Sequence, residues 1–399
     1  MKINKTNSLK LLIIGYSLTF IGGCAVVLPF IIKRAASLEF HVTVAEAGFV
    51  FGFFMLGMVC TQFLNGFLIE KISIKKELYI ISFIYLMCVV WMYNMTSFIM
   101  LLPILFIIGL VFGIVVTIPH FLFVHAFKGI KRSSNLNRLD ISFSLGSMLW
   151  PLLAGAIVAV MLPWQTVYLS LIIVWIFILI MISITKLPDV SSKHLKETNE
   201  SFSKWNKYVW LTGLAMFIYF VSQVGFIYWV AYYLQHRLHM NAATSNFGVT
   251  LFWFFYMIGC FISSFALKKI QVNKYIIGSM VIAAISFGVI IISPTPIVMM
   301  IAISFFGLGC ATIYESTISF GSQMLDKPSP KLVGFFITLS GIGTLVGQYY
   351  SSYIVGRCGI IPIIWISAIL MIIGICLYFV VSVSQKDNPR LKINNIKQY

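Results

Sequence analysis

Long apolar runs recur along the whole chain, separated by short stretches that are charged or rich in turn residues. A helix crosses a bilayer core with roughly 20 apolar residues. Cutting at the polar stretches predicts twelve such helices, over residues 10–32, 47–69, 78–94, 98–124, 141–162, 166–186, 208–233, 247–267, 275–293, 297–321, 332–355 and 361–383. Several joints are only three or four residues long: "NMTS" at 94–97, "PWQ" at 163–165 and "SPTP" at 293–296. Joints this short force neighbouring helices antiparallel. The first run follows "MKINKTNSLK", which has the basic start of a signal peptide. The run is about as long as a full span and no small-residue cleavage site closes it, so it reads as a retained helix.

Composition supports the same picture. The 399 residues are 60% hydrophobic and 10% charged, with a mean hydropathy of +0.98. A soluble chain is about a quarter charged, and no water-soluble fold could bury this much apolar surface. The net charge of +17 does not indicate nucleic acid, because the basic residues occur in short groups between the apolar runs. Those groups test the cut. Of the 28 Lys and Arg, 24 fall in the two tails and the even-numbered joints. The other four, Lys33, Arg34, Arg237 and Arg357, fall on the opposite side, and none remains inside a span. Basic excess marks the cytoplasmic side, so both termini are expected in the cytoplasm. Six of the seven cysteines lie inside apolar runs, at spacings that match no disulfide framework or metal site. They read as small buried apolar residues.

The longest polar stretch, "KLPDVSSKHLKETNESFSKWNK" at 186–207, divides the spans six and six. The expected fold is therefore an all-α membrane protein with twelve transmembrane helices in two pseudo-symmetric six-helix bundles. The expected domains are 1–186, a cytoplasmic linker at 187–207, and 208–399 with a short cytoplasmic tail. The halves look duplicated. "GFLIEKISIKKEL" starts at 66 and "SFALKKIQVNKYI" at 264, a spacing of 198. "GSMLWPLLAG" starts at 146 and "GTLVGQYYSS" at 343, a spacing of 197. Transporters are often built from such repeats.

These segments carry a family resemblance. "GFLIEKISIKKEL" resembles the signature between the second and third spans of the major facilitator superfamily, with Gly66, Leu68, Lys75 and Leu78 matching and Glu70 and Lys71 as conservative replacements. "GSMLWPLLAG" is similar to the superfamily's fifth-span antiporter pattern at Gly146, Pro151 and Gly155, and departs from it at Trp150 and Ala154. "QVGFIYWVAYYL" (223–234) and the stretch 317–344 around "PSPKLV" resemble TsgA-type members, a fucose-permease-related group of the bacterial inner membrane. The resemblance implies the major facilitator fold and secondary transport of a small solute by alternating access. It implies a monomer in the lipid bilayer, with no cofactor, metal, nucleic acid or enzymatic activity. It also assigns a gating role to Gly66, Glu70, Lys71, Lys75 and Lys76, which alternatively form a solvated loop that only sets topology. Gly146, Pro151 and Gly155 are expected to permit bending and close packing, as are Gly341, Gly343 and Gly347 in span eleven.

The candidate solute site follows from counting acids. Of eleven, only Glu315 lies within a predicted span, in "CATIYESTISFGSQ". Membrane-embedded acids commonly face a cavity or a partner, and no Lys or Arg in a span is available to pair with it. Glu315 is either a cavity residue for proton coupling or solute recognition, or a residue near the cytoplasmic interface that snorkels. Tyr314 and Ser319 are its polar neighbours. Gln223 and Tyr219, four residues apart, share a face of span seven, and Tyr16 is a further cavity candidate in span one. The carboxylates that fucose-permease relatives carry in spans one and four are absent, which leaves substrate and coupling open between protons and none. The competing reading is a sensor or scaffold on a transporter fold.

Overall fold

The computed structural model describes residues 5–126, 129–185, 187, 205–267, 269–292, 295–322, 324 and 330–385. All but the ends of the linker expected at 187–207 lies outside the described residues. Helices cover every predicted span. The first six are α1 (Lys5–Glu39), α2 (Val44–Lys71), α3 (Ile74–Tyr93), α4 (Leu101–Ala126), α5 (Gly129–Ala159) and α6 (Thr166–Ser183). The rest are α7 (Lys207–Ile227), α8 (Val230–Arg237), α9 (Ala242–Ala266), α10 (Val272–Ile292), α11 (Pro296–Cys310), α12 (Ile313–Ser322), α13 (Pro330–Cys358) and α14 (Ile361–Ser384). Among the described residues, ten stretches are long and apolar enough to cross a membrane. The third and eleventh predicted spans fall outside that set. The helix α3 opens on Lys75, Lys76 and Glu77, and α13 carries the polar run "GQYYSS".

Local chemistry sets several ends. Thr43 and Glu46 form a reciprocal capping box at the start of α2: Glu46 N–H donates to Thr43 Oγ1 at 3.1 Å and Thr43 N–H to Glu46 Oε2 at 2.8 Å. These bonds satisfy amides that a helix start leaves unpaired. Thr295 caps α11, with Pro296 at its first position, where a missing N–H is harmless. Two predicted boundaries move furthest. The helix α1 runs on through Lys33 and Arg34, expected in a joint, and α5 begins at Gly129, inside the expected fourth loop.

The chain forms two compact units. One comprises Met1–Leu195 with Asn241–Thr250; the other comprises Lys196–Met240 with Leu251–Tyr399. Within each, pairs of helices approach so closely that a glycine is required. A Cβ on Gly109 of α4 would stand 2.0 Å from the Phe54 carbonyl oxygen of α2. In the second unit a Cβ on Gly307 would stand 2.2 Å from the Phe252 oxygen. Both residues of the second pair are displaced by 198 positions from the first. A Cβ on Gly146 of α5 would stand 2.1 Å from the Phe20 oxygen of α1, and one on Gly343 of α13 2.7 Å from the Phe217 oxygen of α7. That displacement is 197. A third contact repeats with its sizes exchanged: Gly113 faces Thr61, whereas Gly259 faces Ala311. The repeat seen in the joints therefore extends to helix packing. Small residues allow this close approach, which dispersion rewards inside a bilayer.

Two predicted spans are not continuous. Span seven breaks at Tyr228 and Trp229, both fully buried, and resumes as α8. Span ten breaks at Ala311 and Thr312 and resumes as α12. Thr312 has φ of +61°, an outlier for a β-branched residue. Such a conformation costs on the order of 1–3 kcal/mol and persists only where its surroundings hold it.

Candidate functional site

The break in span ten organises the second unit's polar residues. Ending α11 at Cys310 frees backbone carbonyls that lipid cannot satisfy. Tyr219 of α7, 1% exposed, donates its hydroxyl to the Cys310 carbonyl at 3.1 Å. The Ala311 N–H still reaches Gly307 O at 3.2 Å, and the Thr312 carbonyl accepts from Ser316 N–H at 2.8 Å. Beyond the break, Glu315 lies in the first turn of α12 and is half-buried. That end of a helix carries partial positive charge, which favours a carboxylate. The Tyr314 ring meets Phe220 of α7 edge-on, with centroids 6.0 Å apart. Phe220 in turn meets Tyr219 at 5.1 Å. Thr317 and Tyr378 of α14 share a 2.6 Å hydroxyl bond. Gln223, one turn beyond Tyr219, is 6% exposed. Ser319, one turn beyond Glu315, is exposed. Thus α7, the α11–α12 break and α14 gather Tyr219, Tyr314 and their partners around the start of α12.

Tyr16 belongs to a different cluster, in the first unit. Its hydroxyl donates to Asn135 Oδ1 at 3.3 Å, and its carbonyl accepts from Ser142 Oγ at 2.7 Å. Tyr16, Phe20 and Ser142 line a cleft of about 360 Å³ with Ile173 and Phe177 of α6.

The expected gating residues divide. Gly66, Glu70 and Lys71 are in the last turns of α2, and their side-chain surroundings lie outside the described residues. Lys75 Nζ donates to the Ser183 carbonyl of α6 at 3.2 Å, and Lys10 Nζ to Ile184 O at 3.1 Å. The two ammonium groups cap the C-terminal end of α6, where the helix dipole is negative. Lys76 is exposed. Gly146 packs against α1 as expected of a close contact, and Pro151 lies inside α5 without ending it. Gly155 differs from the expectation: a Cβ there would meet nothing closer than 3.7 Å, so packing does not demand glycine. Gly347 stands 3.1 Å from Val221 O by the same measure.

The breaks are what sequence reading missed. One signal was available. Thr312 and Glu315 are spaced as Thr-x-x-Glu, a helix-start signature, as are Thr43 and Glu46 at the genuine start of α2. Hydropathy alone conceals such a start inside an apolar run. Among the described residues, no group of three or more His, Cys, Asp and Glu side chains could hold a metal ion.

Comparisons with known proteins agree with this architecture. The family model described as Major Facilitator Superfamily matches residues 11–325 and 212–395. A protein described as a TsgA homolog from Yersinia pestis (strain Pestoides F) is 27% identical over 360 residues, 90% of this chain and 91% of that one. A TsgA homolog from Yersinia pseudotuberculosis serotype O:1b (strain IP 31758) matches to the same extent. Among solved structures, the nucleoside transporter NupG superposes with a TM-score of 0.71 over 94% of this chain and 99% of its own, at 14% identity.

Proposed function

Because this chain belongs to the Major Facilitator Superfamily, we propose that it is a secondary active transporter that moves a small polar solute by alternating access. Its proposed location is the bacterial inner membrane, as a monomer with both termini in the cytoplasm. The observation that carries the reading is the discontinuous tenth span, with Thr312 at φ +61° and Glu315 in the first turn that follows. Transporters of several folds place solute and ion sites where membrane helices are interrupted, because the interruption offers helix ends and free backbone groups at depth. The α11 segment runs 15 residues before the break. That is about 22 Å at 1.5 Å per residue, within a hydrocarbon core of about 30 Å. In this reading Glu315 takes up the coupling proton or binds the solute directly, Tyr219 holds the break in register, and Tyr314, Gln223 and Ser319 supply polar contacts.

Uptake by membrane vesicles tests it, using nucleosides, sugars and amino acids with and without an imposed pH gradient. One solute class should accumulate faster with the gradient, and Glu315→Gln should lose that acceleration by tenfold or more. Unchanged gradient-driven uptake in Glu315→Gln would remove the coupling role from Glu315.

A further inference from the structure

The cluster around Tyr16 holds hydrogen-bond donors that no described residue uses. Because α5 begins at Gly129, Arg138 stands on a helix and not in a joint. It opens the apolar stretch Arg138–Ile157, which puts it at the membrane edge. Arg138, Ser142 and Gly146 are spaced by four and share one face of α5. Ser142 Oγ donates to the Tyr16 carbonyl at 2.7 Å and Gly146 packs on Phe20, so that face meets α1. The Tyr16 ring rests edge-on against Phe123 of α4, with centroids 5.6 Å apart. Its hydroxyl donates to Asn135 Oδ1 at 3.3 Å and has the Arg138 guanidinium as a hydrogen-bonding and charge neighbour. Accepting from Tyr16 fixes the Asn135 amide, which leaves its nitrogen on the opposite branch. The Asn135 side chain is 7% exposed. Its Nδ2 donates to nothing among the described residues, yet that atom keeps surface open to solvent. Arg138 is exposed, and among the described residues no carboxylate pairs with it. Asp140, two residues on, projects from another face of the helix. What remains is donor capacity with one positive charge: the guanidinium fork and the Asn135 amide N–H groups.

We infer that Arg138 and Asn135 form an oxyanion-binding site, positioned by Tyr16. The ligand is a carboxylate or a phosphate, whose oxygens accept from the guanidinium and from Asn135 Nδ2. Guanidinium matches the geometry of both groups, and its hydrogen bonds to them are charge-assisted. At the membrane edge the same oxyanion can come from a soluble anion or from a phospholipid head. The inference stands apart from the transport reading and does not use Glu315.

The test is calorimetric titration of the delipidated full-length protein in a neutral detergent, with inorganic phosphate and with acetate, at constant ionic strength. Saturable binding of at least one of the two is expected. Arg138→Gln should weaken it by about tenfold or more, as loss of a charged hydrogen-bonding partner does. Asn135→Asp keeps an acceptor for Tyr16 but sets a carboxylate beside the guanidinium, so it should abolish binding. Lys269→Gln, which removes an exposed cation of the second unit, should leave binding unchanged. Repeating the titration in nanodiscs of phosphatidylglycerol separates the sources. Loss of anion binding there identifies the lipid phosphate as occupant, and its persistence identifies a soluble anion. No saturable binding of either anion to the wild-type protein would overturn the inference. So would equal binding by an Arg138→Gln variant with a wild-type melting temperature, or equal weakening by Lys269→Gln. Each of these results would reduce Arg138 to a solvated charge at the membrane edge.

Discussion

Glu77 stands in the first turn of α3, just ahead of the third predicted span, and is 4% exposed. Neither of its carboxylate oxygens has a hydrogen-bond partner. Burial raises its pKa from 4.5 to about 7. A folded-state pKa above the unfolded one means that the folded protein holds the proton more tightly. The resulting stability is fully present below the unfolded value and is lost as pH rises through about 7. Glu77→Gln is neutral at every pH, so it should melt higher than wild type at pH 8 and no higher at pH 5. The gain should be about 1–2 kcal/mol after allowing for partial screening by solvent. Equal melting temperatures at both pH values would show that Glu77 is solvated and ionised. Residue chemistry of this kind was only partly legible in the sequence. Glu315 stood out as the one acid inside a span, whereas Glu77 read as an ordinary joint residue, because its burial depends on tertiary packing rather than on its neighbours in the chain.

At the scale of elements, apolar run lengths located the helices well because a bilayer imposes one length on each. Their continuity was not legible. Tyr228–Trp229 and Ala311–Thr312 are apolar or nearly so, and hydropathy does not register a change in φ. The packing glycines were partly legible. Gly146 and Gly343 fell in the repeated segments and do make close contacts, but Gly155 carried the same motif and does not. Two comparably tight contacts, Gly109 on Phe54 and Gly307 on Phe252, lay outside the motifs. Gly109→Ala and Gly307→Ala should each force two backbones apart and cost about 1–3 kcal/mol. Gly155→Ala and Gly288→Ala have space for the methyl group. Each should be neutral, or stabilising by up to about 1 kcal/mol, since alanine is the better helix former. Thermal melts of the four variants in one detergent check the contrast. A Gly307→Ala variant as stable as wild type would show that the α9–α11 contact can relax.

For the whole molecule, the run count, the alternation of basic joints and the repeat spacing of 197–198 together anticipated a duplicated helical transporter fold. The family match and the superposition on NupG agree with that expectation. The expectation that both termini face the cytoplasm places Cys358, exposed at the end of α13, on the outer side. A membrane-impermeant maleimide applied to intact spheroplasts should label it, and Cys358→Ser should abolish that labelling. Labelling only after the membrane is opened would invert the topology. Substrate identity was not legible, because in the proposed reading solute choice rests on how Tyr219, Tyr314 and Glu315 are arranged around an interrupted helix, and no pattern of residues in the chain encodes that arrangement. The most direct test of the transport reading is solute counterflow. Purified protein in liposomes preloaded with an unlabelled solute is given a trace of the same solute in labelled form. Expected is transient accumulation of label for one solute class, absent from protein-free liposomes and diminished in Glu315→Gln. No counterflow across nucleosides, sugars and amino acids, by protein shown to be folded, would contradict transport and leave a sensor or scaffold on a transporter fold.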